Sequence, residues 1–461
     1  MISVMEVAVP PISTCLFVQE HRLKGKFTDR ARVQVFEMGR KRASRDVKQL
    51  RGIPASGQGR SERLMQLMDF RDLVKRYSFE EHAKRADQYF STLDLESPVA
   101  RKPFASPHEA AELCAGIAAI LPDLMLFPGV RILDFGAGTC WMSRLLAMLG
   151  CHVTAVDVSR KALEVGEKLI RADPLGSKLS VEFVALNSPD LPFSEETFDR
   201  IVCFDALHHV PDQHHAIREF ARVLKPGGIA ALHEPGPKHS QSSQSQHEMR
   251  MFDVIEADVH VEGLFAAAKS AGFTGAEMAI YSSRAVKADL GSYNTFLDRP
   301  YLSMTGRSLV RHIAAEQQNR RTFFLAKGDP IAHLDSRSTH SLLADIQLGV
   351  ERTSTGTKFT GSIGNVGSTT WLPSFSGFGA VNIGVHPHDS NGRLINPDYF
   401  RAGISNQRTS AGMRQPVSFE VVHPEGLDSY ELVIDMVSEG VMWFEIGGSS
   451  VQKFRIVRGS C

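Results

Sequence analysis

Two histidine-bearing corners of this 461-residue chain could do chemistry. His208 and His209 follow an apolar run that ends at Phe204, and His233 and Glu234 follow the next run, at 229–232. An imidazole near its ordinary pKa can take a proton from a hydroxyl, and a suitably placed carboxylate can do the same. Side chains at the carboxyl ends of successive strands in an open α/β sheet face one crevice. His209, His233 and Glu234 are therefore the candidate general bases for a transfer to a hydroxyl. A second group suits binding. Asp134, Gly136 and Gly138 form an acid followed by Gly-x-Gly, and Asp157 stands nineteen residues after Gly138. Without a Cβ, glycine permits a sharp turn and brings backbone amides close to a ligand. An acid at the end of the next strand is placed to accept the two hydroxyls of a ribose.

The elements that would hold these groups can be read from periodicity. Ile132 and Leu133 lead into the Gly-rich turn, and Leu145, Leu146 and Leu149 repeat at helical spacing until Gly150. A second apolar run, 153–156, ends at Asp157. Further strands are expected at 181–186, 200–204, 229–232, 276–281 and 322–326, with helices from Ser159 to about Ala172 and after Asp212. A dinucleotide-binding turn wants Gly at the third position of Gly-x-Gly-x-x-Gly, to meet a pyrophosphate. Trp141 stands there instead, which argues against a nicotinamide oxidoreductase. Asp134 suits a ligand that carries an ammonium and a sulfonium.

On these residues the chain resembles the class I S-adenosylmethionine (SAM) methyltransferases of the type 11/12 kind. Three later segments add to the resemblance, which covers about residues 77–328. They are Leu191-Pro192-Phe193 followed by Phe198-Asp199, the turn Leu224-Lys225-Pro226-Gly227-Gly228, and the preceding corner at 205–209. The resemblance implies an α/β fold, a Rossmann-like sheet of seven strands whose last strand is antiparallel and lies between the fifth and sixth. It implies S-adenosyl-L-methionine as cofactor, with contacts at Asp134, Gly136, Gly138, Asp157, Val158, Asn187, Ser188 and Phe204. Asn187 stands where the family usually has Asp, and its side-chain carbonyl can still accept from an adenine amino group. N-terminal helices over 68–128 would cover the cofactor mouth, with Tyr89 a candidate contact, and a helical insertion at 286–318 would cap the acceptor side. The polar run 239–248 reads as a mobile lid or a plain surface loop.

Composition bounds the rest. Lys plus Arg and Asp plus Glu number 52 each, so no charge excess points to a nucleic-acid partner. Six cysteines show no Cys-x-x-Cys pair, and no apolar run is long enough to span a membrane, which fits a reduced, cytoplasmic setting. Residues 1–67 are rich in Arg and Lys without period and read as a disordered tail, with a nucleic-acid or membrane arm as the sharper reading. No signal peptide is read there, and a translation start at Met65 or Met68 would leave the tail without a role. His208, His209, His214 and His215 could suggest a metal, but neighbours at i, i+1 point apart and Cys203 is mid-strand, so none is expected.

Beyond Gly328 the pattern changes to short strands at 358–367, 381–386, 417–422 and 430–436, with an Asn391-Gly392 turn. After a linker at 329–345, residues 346–461 read as an all-β sandwich with Trp371 and Trp443 for its core. The phrases around these two tryptophans resemble immunoglobulin-like domains appended to bacterial enzymes of surface-glycan synthesis. Together the readings point to methyl transfer to a small-molecule or glycan acceptor, most simply a sugar hydroxyl, with the oligomeric state open. The alternatives are a non-catalytic SAM-binding scaffold acting through the sandwich, and a methyltransferase for a quinone or another metabolite.

Overall fold

The computed structural model describes residues 67–92 and 97–457. The expected tail, Leu67 apart, lies outside the described residues. Three helices come first. Asp69 caps α1 (Phe70–Arg76), and Ser78 with Glu81 forms a capping box on α2 (Phe79–Ser91), so the helical stretch from Phe70 is broken at Tyr77. Ser106 caps α3 (Pro107–Ile120), with Pro107 in its first turn.

The sheet then builds through β1 (Arg131–Phe135), α4 (Trp141–Met148), β2 (His152–Asp157), α5 (Arg160–Ala172), β3 (Val181–Ala185), β4 (Phe198–Phe204), α6 (Gln213–Val223) and β5 (Leu224–Pro235). It closes through α7 (Ser243–Phe252), α8 (Val261–Ala271), β6 (Gly275–Ala279), α9 (Leu290–Asp298), α10 (Met304–Asn319) and β7 (Arg320–Lys327). The strand order is β3-β2-β1-β4-β5-β7-β6, with β7 antiparallel to both neighbours. This is the topology the resemblance implied. Alternate residues of each central strand go to opposite faces, as a sheet covered by helices on both sides requires. Leu133, Ile201, Cys203, Ala230 and Leu232 pack with α6 and α8, while Ile132, Val202, Phe204, Ile229 and Ala231 pack with α3 and α4.

One expectation changes here. The polar run at 239–248 is a short turn followed by α7, capped by Ser242 and anchored through buried Ser245, Gln246 and Met249. Gln246 also bonds the backbone of Met68 and of Ser240, so this segment is a packed helix and no loose loop. The insertion at 286–318 is the pair α9 and α10, and it buries little, Gly306 being its one buried helical residue.

The C-terminal part folds as β8 (Ala344–Arg352), β9 (Gly356–Asn365), β10 (Val381–His388), β11 (Phe400–Gly403), β12 (Arg414–Val422), β13 (Ser429–Ser438), β14 (Met442–Trp443) and β15 (Gln452–Val457). One sheet runs β12-β9-β8 and the other β11-β10-β13-β14, with β15 also on β13. Between them lies a core drawn only from Leu342 onward, including Trp371, Phe359, Tyr430 and Phe444. Trp443 is not in that core. It is half-buried at the edge, over Gly384 and beneath the Arg401 guanidinium. The expected linker also proves partly ordered: Leu334 is buried, Ser336 bonds Thr370 and Gly379, and Ser438 donates back to the Ser336 carbonyl. At the seam, His333 lies against Gly227 and Arg337 lies over the Phe127 ring at 4.8 Å.

Candidate active site

The Gly-rich turn is set by two different needs. Gly136 has φ +71° and a Cβ there would stand 2.3 Å from the Ala206 Cβ. Gly138 has φ +51°, yet a Cβ there would meet nothing nearer than Phe90 of α2, at 3.9 Å. The first glycine therefore permits packing of the turn on the β4 corner, and the second leaves an open face under α2. Gly136→Ala should be far more damaging than Gly138→Ala, whose cost is chiefly the left-handed backbone, about 1–2 kcal/mol. Thermal unfolding of the two variants checks this, and equal shifts would contradict the packing account.

Asp157 ends β2 beside this turn. Its Oδ2 accepts the Gly138 N–H and its Oδ1 the Ser159 N–H, both at 2.8 Å. Burial raises its pKa against the opposing effect of those two amides. Asp134 is 2 % exposed and accepts from Ser143 of α4, and burial pushes its carboxyl up to about 7. Val158 packs on the core beneath, Asn187 is exposed, and the Ser188 hydroxyl donates to the Asp190 carbonyl. Asp87 of α2 accepts from both Ser159 Oγ and the Lys161 N–H, at 2.7 and 3.0 Å, which fastens α2 over the mouth. Tyr89 packs edge-on against Phe90 and Phe252.

The other side of the strand ends is a cavity of about 350 Å³, lined by residues that include His233, His239, Tyr281, Arg284, Glu316 and Arg320. His233 is 2 % exposed, stacks on Phe204 at 4.3 Å between ring centroids, and is approached by α3 at Gly116. Its Nδ1 lies 2.7 Å from Thr322 Oγ1 and 3.3 Å from the Tyr281 hydroxyl, while its Nε2 is buried with no partner among the described residues. Burial, and secondarily Arg320, lowers its pKa to about 4.

The other two candidate bases are placed differently. Glu234 is fully buried and accepts from the Ala206 and Leu207 amides, from His208 Nδ1 at 2.9 Å, and from the Cys203 thiol. Burial would raise its pKa, but His208 and the amides hold it below the ordinary value. Such a saturated, enclosed carboxylate fixes the β4 corner and does not reach the cavity. His209 is 40 % exposed, with Nδ1 2.7 Å from the Ile255 carbonyl and 3.3 Å from Glu256. Burial lowers its pKa, and Glu256 and Ile255 more than reverse that.

Several groups here had no sequence signal at the expected sites. Asp205 sits at φ +59° and pairs with Arg320 at 2.7 Å and Lys102 at 3.8 Å. Burial opposes its ionisation, but the two cations hold the carboxyl well below its usual range. Arg320 lies 115 residues away, and Tyr281, Thr322, His239 and Glu256 likewise arrive from distant elements.

The methyltransferase domain family model matches residues 133–232. That span holds the Gly-rich turn, Asp157 and the His208–His209 corner, and it ends one residue before His233. Among curated proteins, the chain is 42% identical over 106 residues to a demethylmenaquinone methyltransferase of Clavibacter sepedonicus, covering 23% of this chain and 41% of that one. It is 37% identical over 106 residues to a ubiquinone biosynthesis O-methyltransferase of Xanthomonas campestris, covering 23% and 43%. The chain thus spans less than half the length of these relatives. Among solved structures, a Haemonchus contortus phosphoethanolamine N-methyltransferase 2 in complex with S-adenosyl-L-methionine is similar at TM-score 0.36 and 20% identity, over 57% of this chain and 61% of that one.

Proposed function

We propose that the protein is an S-adenosylmethionine-dependent methyltransferase that methylates a hydroxyl of a sugar or glycan precursor. The observation that carries the acceptor reading is the cavity beside β5 and β7. Its lining residues are of polar type, Pro235 and Ala315 apart, although their carbon atoms form more of the wall than their polar atoms do, and His233 contributes a buried imidazole nitrogen with no partner among the described residues. A polyol can satisfy such groups, whereas the ring and tail of a quinone would leave them desolvated and unpaired, which costs about 1–3 kcal/mol each. The names of the curated relatives favour a quinone, and that is the reading to test against.

The chain's own residues fit the cofactor. The Gly138 face has room for a ligand, and a carboxylate offers about four acceptor positions, of which Asp157 uses two on Gly138 and Ser159. The remaining two suit a ribose diol. When bound, the cofactor supplies an electrophilic methyl on a sulfonium. The rest of the reaction is positioning, with donor carbon and acceptor oxygen held in line. In the tautomer whose Nδ1–H donates to Thr322, His233 Nε2 carries a free lone pair; the atom is buried, so it takes the acceptor's proton only once the wall over it opens to the acceptor. Purified protein incubated with SAM and matched panels of nucleotide sugars, glycan precursors and demethylated quinols decides the acceptor. Mass gain confined to the quinols would defeat the sugar reading.

The sandwich is proposed to hold large acceptors by a second contact, which raises their effective concentration at the site. Its separate core from Leu342 onward supports independent folding. Because Leu334 and Ser336 are tied to it, the cut belongs at Gly328. A chain ending there should bind SAM and methylate small acceptors as before, and lose turnover on polymeric glycan. Equal activity on both acceptor sizes would remove the sandwich from the reaction.

A further inference from the structure

The corner after β4 holds a cluster that methyl transfer does not account for. His208 and His209 were expected to point apart, as neighbours in a strand or helix do. They lie instead in a single 3₁₀ turn, with ring centroids 3.9 Å apart and planes tilted by 45°. Glu256, from the segment after α7, reaches the same place and is 3 % exposed. One donor atom from each of His208, His209 and Glu256 lies within 4.8 Å of the other two.

The surroundings of these three residues match what metal-binding imidazoles require. A histidine ligand normally has its second nitrogen fixed by a carboxylate or a backbone carbonyl, which sets the tautomer and aims the free lone pair. His208 Nδ1 is 2.9 Å from Glu234 Oε2, and His209 Nδ1 is 2.7 Å from the Ile255 carbonyl. Neither Nε2 has a hydrogen-bond partner among the described residues. The third donor is held on one side: Glu256 Oε2 is 2.7 Å from His239 Nε2, while Oε1 is buried without a hydrogen-bond partner, 3.3 Å from His209 Nδ1, so His209 must turn to bring its Nε2 toward it. His239 also lies edge-on to His208, at 4.7 Å between centroids, and lines the cavity.

We propose that His208, His209 and Glu256 bind one divalent ion of the zinc class, with His239 and Glu234 holding the ligands in place. Two imidazoles and one carboxylate suit zinc and its borderline neighbours better than magnesium or calcium, which prefer oxygen. Around tetrahedral zinc, donors about 2.0–2.1 Å from the metal lie roughly 3.4 Å from one another. The cluster must therefore contract. His209, 40 % exposed and at the surface, is the member free to move inward. The second cluster of similar composition, Asp190, His215 and Glu219, lacks this preparation, because Glu219 already serves Arg222 and the Leu191 amide. The proposal does not depend on which acceptor is methylated.

The test uses the full chain, stripped with a chelator, then titrated with Zn²⁺ by calorimetry and with Co²⁺ by visible absorption. One equivalent of Zn²⁺ should bind at micromolar or lower concentration, and Co²⁺ should give the intense ligand-field bands of a low-coordinate nitrogen site. Glu256→Gln and His209→Ala should each weaken binding by roughly 100-fold, while His215→Ala leaves it unchanged. Glu256→Gln preserves the shape and the contact to His239, so it remains informative if His209→Ala misfolds. Absence of stoichiometric binding, binding unaltered by Glu256→Gln, or binding lost in His215→Ala would each overturn the site.

Discussion

Replacing Asp157 by Ala should weaken SAM binding by about 100-fold or more, the loss of at least one charge-assisted hydrogen bond worth about 1.5–3 kcal/mol together with the disordering of the turn. Two effects combine at this residue. The carboxylate has two acceptor positions left for a ribose, and it also holds the Gly138 and Ser159 amides at 2.8 Å. Removing it leaves both donors without a partner, so the Gly-rich turn loses the brace that fixes its open face. Asp157→Asn separates the two effects, since an amide oxygen can still accept but the charge is gone. Calorimetry on the native protein and both variants measures them. Native-like affinity in Asp157→Ala, or tighter binding of NAD than of SAM by the native chain, would dismiss the cofactor assignment.

The second large effect is expected at His233. His233→Gln should lower turnover on a hydroxyl acceptor by about 100-fold or more while SAM affinity holds, the usual size of a lost general base. The pH dependence carries the mechanism. With its pKa lowered to about 4, mainly by burial, the ring stays neutral through the neutral range, so the native enzyme should show no limb near 6.5. Stability has the corresponding sign. As pH falls from about 6.5 toward 4, the unfolded chain takes up a proton that the native ring refuses, so native stability drops by about 3 kcal/mol over that window from this group alone. Above about 6.5 the group contributes nothing. Full activity in His233→Gln would leave proximity as the sole mechanism, and a limb near 6.5 assigned to this residue would show that its ring is solvated during turnover.

What could be read in advance followed the range of each interaction. The Gly-rich turn, Asp157 and the strand sequence were legible because turns, caps and alternation are local, and the Rossmann-like order follows from connection rules. Glu234 was misplaced for a physical reason: position at a strand end does not tell whether a side chain faces a cavity or plugs the neighbouring corner. That distinction depends on the Ala206 and Leu207 amides, 28 and 27 residues away. The Asp205–Arg320–Lys102 group and the His233–Thr322–Tyr281 contact needed the antiparallel β7 to be laid beside β5, which no local pattern specifies. Trp443 was assigned to a core by residue type alone, whereas the backbone approach at Gly384 decides that it covers an edge. The helix α7 was missed because its apolar anchor, Met249, falls just past the polar run that drew attention.

Helix α2 buries no residue completely: Phe79 packs on the main core, Tyr89 on Phe252, and its polar tie to the strand end is Asp87, which receives Ser159 Oγ and the Lys161 amide two and four residues past Asp157. A latch of that kind sets residence time more than affinity. On the proposed cofactor site, α2 lies over the open face at Gly138, so spent cofactor should leave at the pace at which α2 lifts, and Asp87→Ala should accelerate its departure in stopped-flow displacement with a smaller change at equilibrium. The same two bonds also tie the latch to the strand end proposed to read the ribose, so release would be governed from the backbone next to Asp157.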